Sequence, residues 1–328
     1  MNDLCITSVP GIRVGHYTDT ANATGCTVVL CEDGAVGGVD VRGSAPGTLG
    51  TDSLAPTALV EQAHAVVLSG GSAFGLNTVA GVVSYLEEKG VGIEFGNATI
   101  PIVSGAILFD LGLVNGAMRP GPDEGRSACL AASSDYVAEG SVGAGTGATV
   151  AKLRGRDRCV KGGIGTSALH LGDGLMVGAI VAVNAVGGVV DPETSEIVAG
   201  PLGDDGSTML DSMALITAPG FESPQPRAGQ NTTIGVVATN ASLTKSQASK
   251  LADVSHDGLA MAVRPAHLMS DGDTMFALAT GSHEADANMN RLCAAAALCT
   301  SRAIVRAIRK ATGLGGVKAV SELKESDA

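Results

Sequence analysis

The sequence has no tryptophan, and its aromatic complement stops at three tyrosines and five phenylalanines in 328 residues. A core for a chain of that length must therefore be assembled from Ala, Val, Ile and Leu, with small residues letting backbones approach one another. Positive charge is also scarce. Lys and Arg number 21 against 33 Asp and Glu, a net charge of −12, which repels phosphate backbones and anionic lipid and argues against a nucleic-acid partner. The seven cysteines are odd in number and never spaced C-x-x-C. Free thiols in a reducing cytoplasm are expected, with neither a disulfide framework nor a structural zinc site. No hydrophobic run is long enough for a membrane span: the most apolar stretch, Leu175 to Val190, is glycine-rich and broken by Asn184, and it reads as a buried strand. The opening residues Met1-Asn2-Asp3-Leu4 lack the basic and apolar pattern of a secretory leader, in keeping with a cytoplasmic location.

Glycine is in excess, with 46 residues or about 14% against roughly 7% in an average protein. Strand-like segments alternate with glycine turns at Ile12–Tyr17, Thr27–Cys31, Gly37–Arg42 and His64–Leu68. The period then changes: Leu76, Val79, Val82, Val83 and Leu86 predict a helix closed by Lys89-Gly90, and a second helix is predicted over Arg126–Tyr136. The apolar run from Leu175 turns at Asp191-Pro192 into Glu196–Ala199. Gly200–Gln230 is crowded with proline and glycine and predicts a surface connection with one short helix near Thr208–Ile216. Order resumes with the β-branched strand Thr232–Thr239. Thr244 and Gln247 form a capping box that opens a helix to about Val263, followed by a strand at Thr274–Thr280 and an Ala-rich helix at Ala285–Ala311. Neither an internal repeat nor a low-complexity linker divides the chain, so one domain over 1–328, with sheets covered by helices, is expected.

Five features were candidates for chemistry. Gly143-Ala144-Gly145-Thr146-Gly147-Ala148 fits G-x-G-x-x-A, but a dinucleotide site needs an acid about 20 residues on, and Arg158–Gly172 contains no Asp or Glu. Close backbone packing is the expectation there. Ser72 in Gly70-Gly71-Ser72-Ala73-Phe74-Gly75 lacks the second glycine of a hydrolase elbow and reads as the cap of a helix N-terminus. Asp271-Gly272-Asp273 places two carboxylates on a turn before a strand, either as turn chemistry or as a pair orienting a catalytic group; a calcium loop would need further ligands. His16, His64, His256 and His267 show no metal-ligand spacing and read as packed or surface side chains. At Asn231-Thr232 a proline- and glycine-rich loop delivers the chain to a buried strand. Thr232 either simply starts that strand or marks an internal self-cleavage site, where its hydroxyl attacks the Asn231 carbonyl and frees an α-amine of pKa near 7.7–8.0, suited to act as base for its own hydroxyl.

The stretches Asn231–Asn240, Asp271–Ala277 and Leu68–Leu76 together resemble the DmpA-like peptidases, a family that includes the L-aminopeptidase/D-esterase/amidase, β-peptidyl aminopeptidases and nylon-oligomer hydrolases. Gly11–His16, Gly143–Lys152 and Lys161-Gly162-Gly163-Ile164-Gly165-Thr166 extend the resemblance over nearly the whole chain. The resemblance implies an α/β fold, an αββα four-layer sandwich of the DmpA and ornithine-acetyltransferase type, similar to N-terminal-nucleophile hydrolases. It implies self-cleavage after Asn231 into an α chain (1–231) and a β chain (232–328), with homotetramers of such pairs. Thr232 falls where the family has its nucleophile, Asp271 and Asp273 where it has the orienting pair, Asn184 where it has the oxyanion donor and Lys152 where nylon-hydrolase-like members carry a lysine. Arg154–Cys159 stands where aminopeptidase members carry an aromatic and acidic stretch.

The expected protein is an N-terminal-threonine amidohydrolase or aminopeptidase acting on short peptides or amino-acid amides through an acyl-enzyme on Thr232, without a cofactor or metal. The rival readings are an acyltransferase of the ornithine-acetyltransferase type and a non-catalytic glycine-rich binding protein.

Overall fold

The computed structural model describes residues 4–222, 230–283 and 288–324. Nine strands form its main sheet: β1 (Arg13–Asp19), β2 (Thr24–Val41), β3 (Thr48–Leu49), β4 (Gln62–Ser69), β5 (Val103–Ile107), β6 (Gly163–His170), β7 (Met176–Asn184), β8 (Thr232–Thr239) and β9 (Thr274–Ala279). Their order is β6-β7-β8-β9-β2-β4-β5-β3, with β1 beside β2. All neighbours are antiparallel except β8 with β9 and β4 with β5. Four main helices, α1 (Thr78–Glu88), α2 (Pro122–Leu130), α3 (Lys245–Ala262) and α4 (Met289–Arg309), cover it.

The sheet doubles over at β2. The sequence predicts two strands there, Thr27–Cys31 and Gly37–Arg42; the structure has one strand of 18 residues. Its first part pairs with β1 and its last part with β9, and its register against β4 shifts between Leu30 and Ala35. Gly34, at φ +83°, sits at this break, where a bulge turns a strand. The strands alternate between cores with period 2. Val28 and Leu30 pack under α1 and α2, whereas Val29, Val66 and Leu68 face inward onto Ile180, Ile234, Val236 and Phe276. On the far side Val177, Ala179, Val181 and Val183 face α3 and α4. The result is α–β–β–α layering with a wholly buried middle core, as expected. Each large side chain buried there contributes about 1.5–3 kcal/mol.

Glycine lets the layers close. In the Lys161–Thr166 segment, a Cβ at Gly165 would stand 2.2 Å from Ala303 O and one at Gly163 2.5 Å from Ala307 O, so α4 lies directly on the β6 backbone. The capping box at Thr244 and Gln247 is present, with Gln247 Oε1 accepting from Thr244 N at 2.8 Å.

Several boundaries differ from expectation. The helix placed at Arg126–Tyr136 runs over Pro122–Leu130, because Pro122 and two acids open it and Ser133 leaves to pair with Val14. The short helix near Thr208 begins only at Ser212, after the cap Asp211. The Ala-rich helix starts at Met289 with Asn288 as its cap; the predicted start at Ala285 lies outside the described residues. Ser72 is not a cap: it is itself at φ +54°, its N–H donates to Leu108 O, and Gly71 precedes the helical turn. Residues 223–229 of the predicted connection ahead of Gln230 also lie outside the described residues. Among the described residues no helix is long and apolar enough to cross a membrane.

Candidate active site

One end of the sheet gathers the residues that the family resemblance assigns to the site: Lys152, Asn184, Asn231, Thr232, Asp271 and Asp273. Asn184, the last residue of β7, is the register partner of Thr232, the first of β8. The Asp271-Gly272-Asp273 turn leads into β9, and Asn231 bridges to Asp271 in parallel. Lys152 is carried in by a loop whose backbone is tied beside Asn184, with Ala151 N on Gly187 O at 2.9 Å and Lys152 N on Val186 O at 2.8 Å. Asn184, Asn231, Thr232, Asp271 and Asp273 are all at most 2% exposed.

The chain is continuous through Asn231 and Thr232. The Thr232 hydroxyl donates to the Asn231 carbonyl at 2.6 Å, and the Gly272 N–H donates to the same oxygen at 2.9 Å. One residue upstream, the Gln230 carbonyl accepts from Lys152 Nζ and Asn184 Nδ2, each at 3.2 Å. Asn184 is fully satisfied: its Oδ1 also accepts from Lys152 Nζ at 2.8 Å and Thr149 N at 3.0 Å, and its Nδ2 also donates to Phe109 O at 3.0 Å. These bonds fix its amide orientation, donor side toward Gln230.

Asp273 is an anchor. Its Oδ1 accepts from Thr233 N at 2.7 Å, and its Oδ2 from His267 N at 3.1 Å and His267 Nδ1 at 2.8 Å. Asp271 Oδ2 accepts from Leu268 N at 2.8 Å, while its buried Oδ1 has no partner among the described residues. Burial, and then the neighbouring Asp273, pushes the Asp271 carboxyl up to about 7. Burial pushes the Lys152 ammonium down to about 7, opposed by Cys159 and Asp271. An acid and an amine with converging affinities thus stand beside the Gln230–Asn231 backbone just ahead of Thr232, an arrangement suited to moving a proton near neutral pH.

Sequence reasoning passed over four participants. Gly272, Gln230 and Phe109 act through backbone groups, which carry no side-chain signature. His267, read as a packed or surface histidine, holds Asp273 and stacks edge-on against His256 with ring centroids 4.9 Å apart. Arg154, in the stretch where aminopeptidase members differ, turns away to Asp204 and Leu202 O. The Gly143–Ala148 stretch packs closely, as expected: a Cβ at Gly145 would stand 2.3 Å from Ile164 N.

A model of peptidase family S58 matches residues 5–321. The chain belongs to peptidase family S58. Among its family relatives, a protein of Mycobacterium tuberculosis named as an uncharacterized aminopeptidase is 39% identical over 341 aligned positions, covering 95% of both chains. The 6-aminohexanoate-oligomer endohydrolase of Paenarthrobacter ureafaciens is 30% identical, over 83% of this chain and 73% of its own. The solved L-aminopeptidase D-Ala-esterase/amidase of Ochrobactrum anthropi, described as a variant of the Ntn hydrolase fold, superposes with a TM-score of 0.70 at 20% identity, covering 98% of this chain and 92% of that one. A Burkholderia β-aminopeptidase gives 0.69 at 23%, with the same coverage. The structures establish the Ntn-type fold. Family S58 membership makes the chain a peptidase-type amidohydrolase and sets aside the non-catalytic binding protein.

Proposed function

We propose that this S58 chain activates itself by cleaving between Asn231 and Thr232, and that the freed Thr232 is the nucleophile of an amidohydrolase for short amides bearing a free amine. The observation that carries the reading is the Thr232 hydroxyl on the carbonyl of its own predecessor, at a junction lined by buried Asn184, Asp271 and Asp273 and half-buried Lys152. Each has a role that its surroundings support. Asp273 fixes the strand start through Thr233 N. Asp271, with one oxygen unpartnered, is the available acceptor for the hydroxyl proton. Asn184 Nδ2, braced by Lys152 and Thr149, is a preorganised donor for a substrate oxyanion, and burial, by lowering the proton affinity of Lys152, eases the appearance of the new α-amine nearby.

In turnover the Thr232 hydroxyl attacks the substrate carbonyl, the amine leaves with a proton, and water hydrolyses the resulting ester. The name of the 30% identical relative points to ω-amino-acid oligomers, and that of the 39% identical relative to aminopeptidase substrates. We assign the chain a cytoplasmic location and, by its resemblance, a homotetramer of αβ pairs.

Intact-mass spectrometry of the purified protein beside Thr232→Ala tests the proposal. Fragments of 231 and 97 residues, the remainder of 328, are expected from the wild type and an undivided chain from the variant. A wild type that stays whole on long incubation overturns the reading. A panel of L-amino-acid amides, D-amino-acid esters, β-dipeptides and 6-aminohexanoate oligomers then ranks substrates. Acyl transfer to ornithine without net hydrolysis would instead identify an acyltransferase.

A further inference from the structure

The uncut chain holds two neighbouring carbonyls with two different sets of donors. Asn231 O, on the bond to be cut, takes the Gly272 N–H at 2.9 Å. Gln230 O, one residue earlier, takes Asn184 Nδ2 and Lys152 Nζ, both at 3.2 Å. We propose that self-cleavage and substrate hydrolysis use separate oxyanion donors: the Gly272 amide serves the Asn231 carbonyl, while Asn184 and Lys152 serve the substrate and are blocked by Gln230 until the chain is cut. This deepens the self-cleavage reading and rests on it.

The Gly272 amide is held as a catalytic donor must be. Ala45 N donates to Asp271 O at 2.8 Å, and Arg42 N and Gly43 N donate to Asp273 O at 3.1 and 3.3 Å. The backbone on both sides of Gly272 is thereby clamped by residues 42–45. The clamp is tight: a Cβ at Gly43 would lie 2.2 Å from Asp271 O. Glycine at 272 is dictated by the nucleophile, since a Cβ there would lie 2.9 Å from Thr232 Oγ1 and 2.7 Å from Ala45 O. A side chain at this position would displace either the attacking hydroxyl or the 42–45 segment that aims the amide.

The acyl shift balances by itself, and water is the one co-reactant of the hydrolysis that follows. Thr232 Oγ1 bonds to the Asn231 carbonyl carbon while its proton passes by way of Asp271. Negative charge gathers on Asn231 O, against the Gly272 N–H. The carbon–nitrogen bond then breaks, the proton ends on the Thr232 nitrogen, and an Asn231 ester remains for water to hydrolyse to a carboxylate and the free hydroxyl. Only when the segment ending at Asn231 withdraws does Gln230 O release Asn184 Nδ2 and Lys152 Nζ. The uncut chain is therefore its own plug, with a backbone carbonyl standing where a substrate carbonyl must bind.

The test compares Gly272→Ala and Asn184→Ala in the full chain, following the 231- and 97-residue fragments by mass spectrometry and amide turnover per cleaved chain. Losing one oxyanion donor costs about 10²–10³ in rate. Gly272→Ala keeps the N–H, but its Cβ pushes the amide and the hydroxyl out of register, and it is expected to slow self-cleavage by at least about a hundredfold. Asn184→Ala is expected to slow it by no more than about tenfold, while turnover per cleaved chain falls at least about a hundredfold. Circular dichroism and the thermal midpoint check that Gly272→Ala folds, and the Asn184→Ala ratio decides the matter even if it does not. Equal loss of self-cleavage and turnover in Asn184→Ala would mean one donor set serves both reactions and would overturn the proposal. A wild type that never cuts is a different failure, that of the self-cleavage reading itself.

Discussion

Replacing Asp273 with alanine, in a Thr232→Ala background that keeps the chain whole, isolates what this carboxylate does for the structure. It accepts three hydrogen bonds: from Thr233 N at 2.7 Å, His267 Nδ1 at 2.8 Å and His267 N at 3.1 Å. Thr233 is wholly buried, so truncation strands its N–H where no water reaches, at about 1–3 kcal/mol. The His267 side chain is 20% exposed and recovers part of its loss from solvent. The expected destabilisation is about 3–5 kcal/mol, from hydrogen bonds to a carboxylate worth about 1.5–3 kcal/mol each, partly recovered at His267. Asp273→Asn keeps an acceptor for Thr233 but turns an N–H against those of His267, and should cost about half as much. In a double-mutant cycle with His267→Ala, urea midpoints should give a coupling of about 1–2 kcal/mol. A loss below about 1 kcal/mol for Asp273→Ala, or a coupling near zero, would refute the reasoning that this carboxylate pins the residue following the nucleophile.

Two further outcomes follow from buried charge. Lys161 is wholly buried, its Nζ on the carbonyls of Gly145, Ala148 and Gly162 at 2.9–3.0 Å, and burial lowers its pKa to about 7. Unfolded lysine holds its proton to about 10.4, so between pH 7 and 10 the unfolded state binds more protons and stability rises with pH by up to about 1.4 kcal/mol per unit. The stability difference between wild type and Lys161→Met, from urea unfolding, should therefore grow in favour of wild type from pH 7 to 10; a flat difference would contradict the burial argument. For Asp271, raised to about 7, the proton-accepting carboxylate is depleted below that pH. Self-cleavage followed by mass spectrometry should rise with pH through about 7 and then level, and Asp271→Asn should lower the rate and remove that limb; an unchanged profile would show that Asp271 takes no proton.

Where the sequence was readable, the reason was local. Thr232–Thr239 is a strand because β-branched residues fill a fully buried position in the sheet, and Thr244 with Gln247 caps its helix wherever that helix packs. The continuity of β2 was not readable. Gly34 looks like a turn between two strands until β4 is present to hold both halves in one ladder with a bulge between them. The same division runs through the site. Thr232 and the Asp271-Gly272-Asp273 turn stood out by residue type and spacing, and Asn184 and Lys152 only through the family resemblance; in all of them the expected chemistry belongs to side chains, which leave letters in the sequence. The Gly272 amide and the Gln230 carbonyl leave none, since every residue but proline has the one and every residue the other. Only the parallel bridge of Asn231 to Asp271 and the pairing of Asn184 with Thr232 select these two groups from all the backbone groups of the chain. Glycine at 272 is the one trace the geometry leaves in the sequence, and it becomes informative only once the Thr232 hydroxyl is known to occupy the space of its missing side chain. A motif of two aspartates therefore understates what its middle residue contributes.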